Sequence, residues 1–98
     1  MVVSRGNLRN YECMDTRKRQ IPPETYSAKL AQRLRMLRDE CGMSQEGVAH
    51  AAGISAYTYQ KFEKGESKPG TPMNPRLFTL LALADVFDMD IRELLDFE

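Results

Sequence analysis

The chain has few of the residues on which metal and disulfide proteins depend. Its 98 residues include two cysteines, one histidine and no tryptophan. Cys13 and Cys41 form no CxxC motif, which excludes a disulfide scaffold and a cysteine-based zinc site. His50 lies among alanines on a short predicted helix and has no cluster of other ligands around it. We therefore expect a solvated histidine, and neither a metal nor a cofactor.

Long apolar runs and catalytic motifs are also missing. The longest apolar-rich stretch, 77–87, is interrupted by Thr79 and Asp85 and is too short to span a bilayer. No apolar segment follows the early arginines, which argues against a secretory signal. No Ser/His/Asp set, phosphate-binding loop or GxGxxG is present. We expect a cytoplasmic protein that is not an enzyme, has no small-molecule substrate and does not contact a membrane.

A chain of this length has room for one domain with a modest core. Its formal net charge is zero, but the two signs are unevenly placed. Residues 1–68 hold 12 Lys/Arg against 8 Asp/Glu, a balance of +4, whereas 69–98 hold 2 against 6, a balance of −4. This asymmetry suggests that one part of the protein meets a polyanion.

Apolar spacing and helix-end residues predict three helices in the first two thirds of the chain. The first begins at Pro23 and ends at Gly42, with an apolar stripe at helical spacing. The stripe comprises Tyr26, Leu30, Leu34, Leu37 and Cys41. Because Cys41 lies on this stripe, we expect its thiol to be buried. Ser44 is the predicted cap of a second helix that ends at Gly53, and Ser55 caps a third that runs through Glu63 and stops at Gly65.

Two further helices are predicted towards the C-terminus. Asn74 and Pro75 are the expected cap and first turn of the fourth. Its expected buried face comprises Leu77, Leu80, Leu81, Ala84 and Phe87. Asp90 and Glu93 form a capping box for a fifth helix, with Ile91, Leu94 and Leu95 facing inward. No segment alternates with period two for long enough to predict a strand, so the expected fold is all-α.

The segment Ser44–Gly65 has the outline of a helix-turn-helix: two helices of about eight residues joined by a tight glycine turn. On a helical wheel of the second helix, Tyr59 and Phe62 point to one side. Tyr57, Gln60, Lys61 and Lys64 cluster on the opposite side, which carries no acid. Such groups suit base edges and phosphates in a major groove. The wheel alone is also compatible with an ordinary solvated helix face, which any amphipathic helix has.

The run LAQRLRMLRDECGMSQEGVAHAAGISAYTYQKFEKGESKP, residues 30–69, resembles the Xre/Cro-type helix-turn-helix family. The resemblance extends over about residues 28–96 and continues through Leu80, Leu83, Ala84, Phe87 and Leu94. It implies a five-helix, lambda-repressor-like DNA-binding domain.

The family pattern also assigns roles to individual positions. Gln45, at the start of the second helix, corresponds to a phosphate contact. Base- and backbone-reading positions correspond to Ser55, Ala56, Tyr57, Gln60 and Lys61. Contacts to the sugar-phosphate backbone correspond to Lys64, Ser67 and Lys68. The positions of Arg38 and Glu63 match an ion pair that joins the first helix to the recognition helix.

The chain departs from the family in three places. Residues 1–24 have no counterpart in the minimal domain, and we expect an irregular arm or tail there, followed by the DNA-binding domain at 25–98. Gly47 replaces the usual acidic residue of the second helix. The segment Gly70–Pro75 lengthens the link after the recognition helix, either as a spacer or as a contact with the DNA backbone or a second subunit.

The expected function is that of a sequence-specific regulator of transcription, acting as a repressor. Following the family, a homodimer would bind double-stranded DNA, with one recognition helix in each of two successive major grooves. The alternative is a protein-binding module on the same fold, such as an antitoxin whose N-terminal extension contacts a toxin.

Overall fold

The computed structural model describes residues 22–97, and within this range it has five helices and one two-stranded sheet. The elements are α1 (Pro23–Cys41), α2 (Gln45–Ala52), α3 (Ala56–Lys64), β1 (Glu66–Lys68), β2 (Thr71–Pro72), α4 (Leu77–Val86) and α5 (Ile91–Leu94). The predicted all-α fold class is confirmed, with the small sheet as an addition. The expected arm, apart from its last three residues, and Cys13 lie outside the described residues.

Local capping chemistry fixes the ends of α2 and α3. The Ser44 hydroxyl accepts a hydrogen bond from the Gly47 amide at 2.9 Å, and the Ser55 hydroxyl accepts one from the Thr58 amide at 3.0 Å. Each bond satisfies one of the amides that a helix N-terminus leaves without a partner. At the other end of α3, Gly65 adopts a φ of 83°, which residues with a side chain rarely adopt. These ends lie where the sequence predicts them.

One core unites the five helices. Each helix contributes a large side chain that is almost fully buried. These are Leu34 of α1, Val48 of α2, Tyr59 of α3, Leu83 of α4 and Leu94 of α5. The capping box of α5 is present, because the Glu93 carboxylate accepts from the Asp90 amide at 2.8 Å while the Asp90 carboxylate caps the helix in return.

The predicted start of α4 is wrong by two residues. Neither Asn74 nor Pro75 caps it; the helix begins at Leu77 after an extended Arg76. The cause lies just upstream, where Met73 is buried and bonded at both backbone groups. Its amide donates to the carbonyl of Gly65 at 3.0 Å, and its carbonyl accepts from the Ser27 hydroxyl at 2.8 Å. These long-range bonds keep the chain extended beyond Met73.

The predicted buried face of α4 is also partly wrong. Leu77 is 60% exposed and Leu81 is 39% exposed, whereas Leu83 and Ala84 lie in the core. Apolar residues surround almost the whole of this helix, so their spacing does not favour one face. Packing against the other helices selects the face.

At the ends of the first and last helices, some residues that the sequence predicts to be buried are exposed. Cys41, expected to be buried, is exposed, as are Tyr26 and Leu95. Cys41 is the last residue of α1, one turn beyond the last buried leucine, Leu37. Cys41 lies on the same side of α1 as the buried leucines, as the stripe predicts. It is exposed because the helix extends past the core. His50 is exposed, as predicted.

The chain between α3 and α4 forms a short antiparallel hairpin. Glu66 pairs with Pro72 and Lys68 pairs with Thr71, around Gly70 at a φ of 82°. Strands of three and two residues are too short to show alternation, which explains why the sequence predicts only a loop at Gly70–Pro75. Among residues 22–97, no helix combines the length and apolar character that crossing a membrane requires.

The orientation of α4 predicts unequal costs for two leucine truncations. Leu83→Ala should lower the free energy of unfolding by about 2–5 kcal/mol, because it leaves a cavity in the core. Leu77→Ala removes the same atoms from an exposed site and should cost about 0.5 kcal/mol or less. Urea unfolding followed by circular dichroism measures both. Equal losses would contradict the orientation of α4.

Candidate nucleic-acid interface

The second and third helices form a helix-turn-helix. The turn between them is made by Gly53, whose amide donates to the carbonyl of His50 at 3.1 Å, and by Ile54, whose amide donates to Ala49 at 3.0 Å. Val48 and Ala49 of α2 pack with Tyr59 and the rest of the core. The inner side of α3 is thereby fixed, and its outer side remains at the surface.

Glu63 ties α1, α2 and α3 together, although it is a carboxylate only 5% exposed. Arg38 of α1 donates from Nε to Glu63 Oε2 at 2.7 Å and from Nη2 to Oε1 at 3.2 Å. Gln45 of α2 donates from Nε2 to Oε1 at 2.9 Å. We call these three residues the Glu63 cluster. Both carboxylate oxygens are hydrogen-bonded, as a buried charge requires.

Two opposing effects set the pKa of Glu63. Burial raises the pKa of a carboxyl group, but the hydrogen bonds to Glu63, that from Arg38 first among them, and the positive charge of Arg38 lower it by more. The pKa of Glu63 is therefore lower than its ordinary value, and the side chain is ionised at neutral pH. Arg38 also donates from Nη1 to the carbonyl of Met43 at 3.1 Å, which fixes the connection between α1 and α2.

The outer face of α3 consists of Tyr57, Gln60, Lys61 and Lys64. Tyr57 is 67% exposed, and Gln60 and Lys64 are also exposed. The Lys61 ammonium lies 4.3 Å from the centre of the Tyr57 ring, a cation–π contact that holds both side chains in place. This surface offers two cations, an amide and a phenol to a ligand.

The remaining predicted site residues lie in several environments. Ser55 uses its hydroxyl to cap α3 and also donates to Thr58 Oγ1 at 2.9 Å. Ala56 is half-buried against the core. Ser67 and Lys68 lie on β1, beyond the C-terminus of α3. The structure therefore brings Gln45, Tyr57, Gln60, Lys61 and Lys64 around one cleft, with Ser67 and Lys68 outside its lining.

Sequence reasoning missed one residue of this cleft, Arg35. It lies on α1, 28 positions before Glu63, and its Nη1 donates to the backbone carbonyl of Glu63. The only signal in the sequence was a charged residue on the polar face of a helix. The family pattern indicates that Arg38 turns towards α3, but nothing in it indicates that Arg35 does so too.

Comparisons with known proteins agree with this geometry. A family model described as a helix-turn-helix domain matches residues 29–97. The HTH-type transcriptional regulator DdrOP3 of Deinococcus deserti is 37% identical over 68 residues, which cover 69% of this chain and 48% of the relative. The chain thus spans about half the length of this curated relative.

A solved structure gives the same result for the fold. The crystal structure of the restriction-modification controller protein C.AhdI from Aeromonas hydrophila superposes with a TM-score of 0.61 at 35% identity. The match covers 69% of this chain and 94% of the controller protein.

The Glu63 cluster predicts a measurable cost for removing its arginine. Arg38→Ala should lower the free energy of unfolding by about 1–3 kcal/mol, because it leaves a buried carboxylate without its ionic partner. The double variant Arg38→Ala with Glu63→Gln is the control, since it removes the stranded charge and should recover part of the loss. Thermal and urea unfolding measure both variants. An unchanged melting temperature in Arg38→Ala would contradict the assigned role.

Proposed function

Because the chain belongs to the helix-turn-helix domain family, we propose that it binds double-stranded DNA sequence-specifically and regulates transcription. In this proposal α3 enters the major groove and its outer face reads the base edges. The protein acts as a homodimer on a two-fold symmetric site. Repression is the proposed outcome, since a dimer bound over a promoter prevents polymerase from binding there.

The observation that carries the proposal is the chemistry of the outer face of α3. Lys61 suits the O6 and N7 acceptors of guanine, and Gln60 suits the donor and acceptor pair of adenine. A solvated helix face needs neither a rigid support nor a preorganised cation. Here the Glu63 cluster fixes the helix from behind, and Tyr57 holds the Lys61 ammonium in front.

The proposed phosphate contact of Gln45 is compatible with its place in the Glu63 cluster. The side-chain amide carries two N–H groups, and the bond to Glu63 uses one. Gln45 is also the first residue of α2, where the backbone amides and the helix dipole favour an anion. In this proposal, Gln45 contacts both Glu63 and a phosphate of the DNA backbone.

Selection of genomic DNA tests the function. The purified protein is mixed with sheared DNA from its host at about 0.15 M salt, and the retained fragments are sequenced. We expect an enriched inverted repeat whose half-sites are about 34 Å, one helical turn, apart. Lack of enrichment from a folded protein would contradict the proposal. Enrichment of its own promoter beside a toxin gene would support the antitoxin version.

Replacement of Lys61 tests the reading face. Lys61→Ala should relax specificity by about 1–3 kcal/mol at one base pair and leave the other positions of the site unchanged. Selection from a random duplex library, followed by affinities for single-base variants of the enriched site, measures this. An unaltered motif would show that Lys61 does not read a base.

Gln45→Ala is the matched control for that experiment. A phosphate contact positions the protein without reading sequence, so this variant should bind all duplexes more weakly by a similar factor. A loss confined to particular sequences would contradict the phosphate role. Thermal unfolding of the variant is measured in parallel, because Gln45 also contacts Glu63.

For the homodimer, the structure offers an apolar patch on the first half of α4, formed by Leu77, Phe78 and Leu81. Phe78 is 80% exposed. Other apolar side chains near the C-terminus, Phe87, Met89 and Phe97, lie in or against the core. A contact between two copies of the patch is isologous, as two-fold symmetry requires, and removes three large side chains from water. We therefore assign the proposed dimer contact to this patch.

Replacement of Phe78 tests this assignment. Phe78→Ser should convert the dimer to a monomer at micromolar concentration and weaken binding to the full inverted repeat much more than to one half-site. Light scattering after size-exclusion chromatography measures the mass. Met36→Ser, at an exposed apolar residue of α1, is the control and should remain dimeric. A dimeric Phe78→Ser variant would contradict the assigned contact.

A further inference from the structure

An open cleft of about 360 Å³ lies where α1 and α2 meet α3. Its walls are Arg35 of α1, Gln45 of α2, and the outer face and last turn of α3. Side chains from three helices thus converge on one space beside the reading face. The family pattern assigned no role to the α1 wall.

The lining of the cleft has a strong excess of positive charge. Arg35, Lys61 and Lys64 contribute three cations. The one carboxylate among the lining residues is Glu63, which is ion-paired with Arg38 and almost fully buried. An anion in the cleft would therefore meet three cations and no uncompensated carboxylate.

Contacts with the protein restrain two of these cations, Arg35 and Lys61. Arg35 donates from Nη1 to the backbone carbonyl of Glu63, so its guanidinium is fixed over the last turn of α3. A guanidinium has five N–H donors, and this bond uses one of them. Lys61 makes the cation–π contact with Tyr57, another residue that lines the cleft.

We propose that this cleft binds one phosphate of the DNA backbone and that Arg35 is its principal ligand. A planar guanidinium matches two phosphate oxygens, and a cation fixed in advance loses little conformational entropy on binding. With α3 in the major groove, the cleft lies between the reading face and α1, where one strand of the groove wall passes. The inference rests on the proposed function and extends the DNA contact from α3 to α1.

The salt dependence of duplex binding tests the proposal. A 30-base-pair mixed-sequence duplex is titrated with the full chain at 50–200 mM KCl, as wild type, Arg35→Ala, Arg35→Lys and Lys29→Ala. Each neutralised phosphate contributes about 0.9 to the slope of log K against log salt. We expect Arg35→Ala to lower the magnitude of the slope by about 1. The affinity of Arg35→Ala, divided by that of the wild type, should then change about 3.5-fold between 50 and 200 mM KCl.

The two other variants separate this role from simpler ones. Arg35→Lys keeps the charge and should recover the slope, though not the full affinity. Lys29 is an exposed cation on a different side of α1, so Lys29→Ala should leave the slope unchanged. Circular dichroism and thermal unfolding confirm that each variant is folded at the assay temperature. If Arg35 only caps α3, Arg35→Ala will lose stability while its slope stays at the wild-type value, and the proposal is wrong.

Inorganic phosphate distinguishes the source of the anion. It is titrated into the free protein at constant ionic strength, with the amide resonances of α3 as the signal. Saturation at millimolar concentration, together with an unchanged DNA slope in Arg35→Ala, would show a small-anion site and overturn the proposal. If wild-type protein binds no duplex at 50 mM salt, the proposed function itself fails. Binding by wild type with an unaltered slope in Arg35→Ala overturns only the inference about the cleft.

Discussion

The structure depends on how it satisfies one buried carboxylate. Glu63 lies near the end of α3, almost out of contact with water, and a charge in that position is tolerated only if hydrogen bonds replace its hydration. Those bonds come from Arg38 on α1 and Gln45 on α2. The requirement therefore sets the positions of three helices relative to each other. It also leaves the opposite side of α3 exposed and rigidly oriented, which is what a reading surface needs.

Local chemistry made most of the fold predictable. The caps at Ser44, Ser55 and Asp90 form hydrogen bonds to residues no more than three positions away. The sequence alone therefore predicts these helix starts correctly. The prediction failed where distant contacts decide. The start of α4 depends on bonds between Met73 and residues 8 and 46 positions away, which no local pattern reveals. The face of α4 depends on packing, because its apolar residues surround the helix.

In the candidate site, too, the sequence predicts what depends on local patterns and misses what depends on helix packing. The outer face of α3 follows from the helical wheel, since the core residues Tyr59 and Phe62 fix the direction of the others. The family pattern placed Arg38 opposite Glu63, and the two side chains lie within 2.7 Å of each other. Arg35 could not be found this way. Its position beside Lys61 and Lys64 depends on how α1 crosses α3, which appears only in the folded chain.

In the proposed complex, the outer face of α3 lies against DNA, with α1 beside it. This arrangement is tested by following the amide and side-chain resonances of the protein by NMR while the enriched duplex is added. We expect the largest changes at Tyr57, Gln60, Lys61 and Lys64, with a second group at Arg35 and Gln45 and little change on α5. Changes concentrated on α4 and α5, with α3 unaffected, would contradict it.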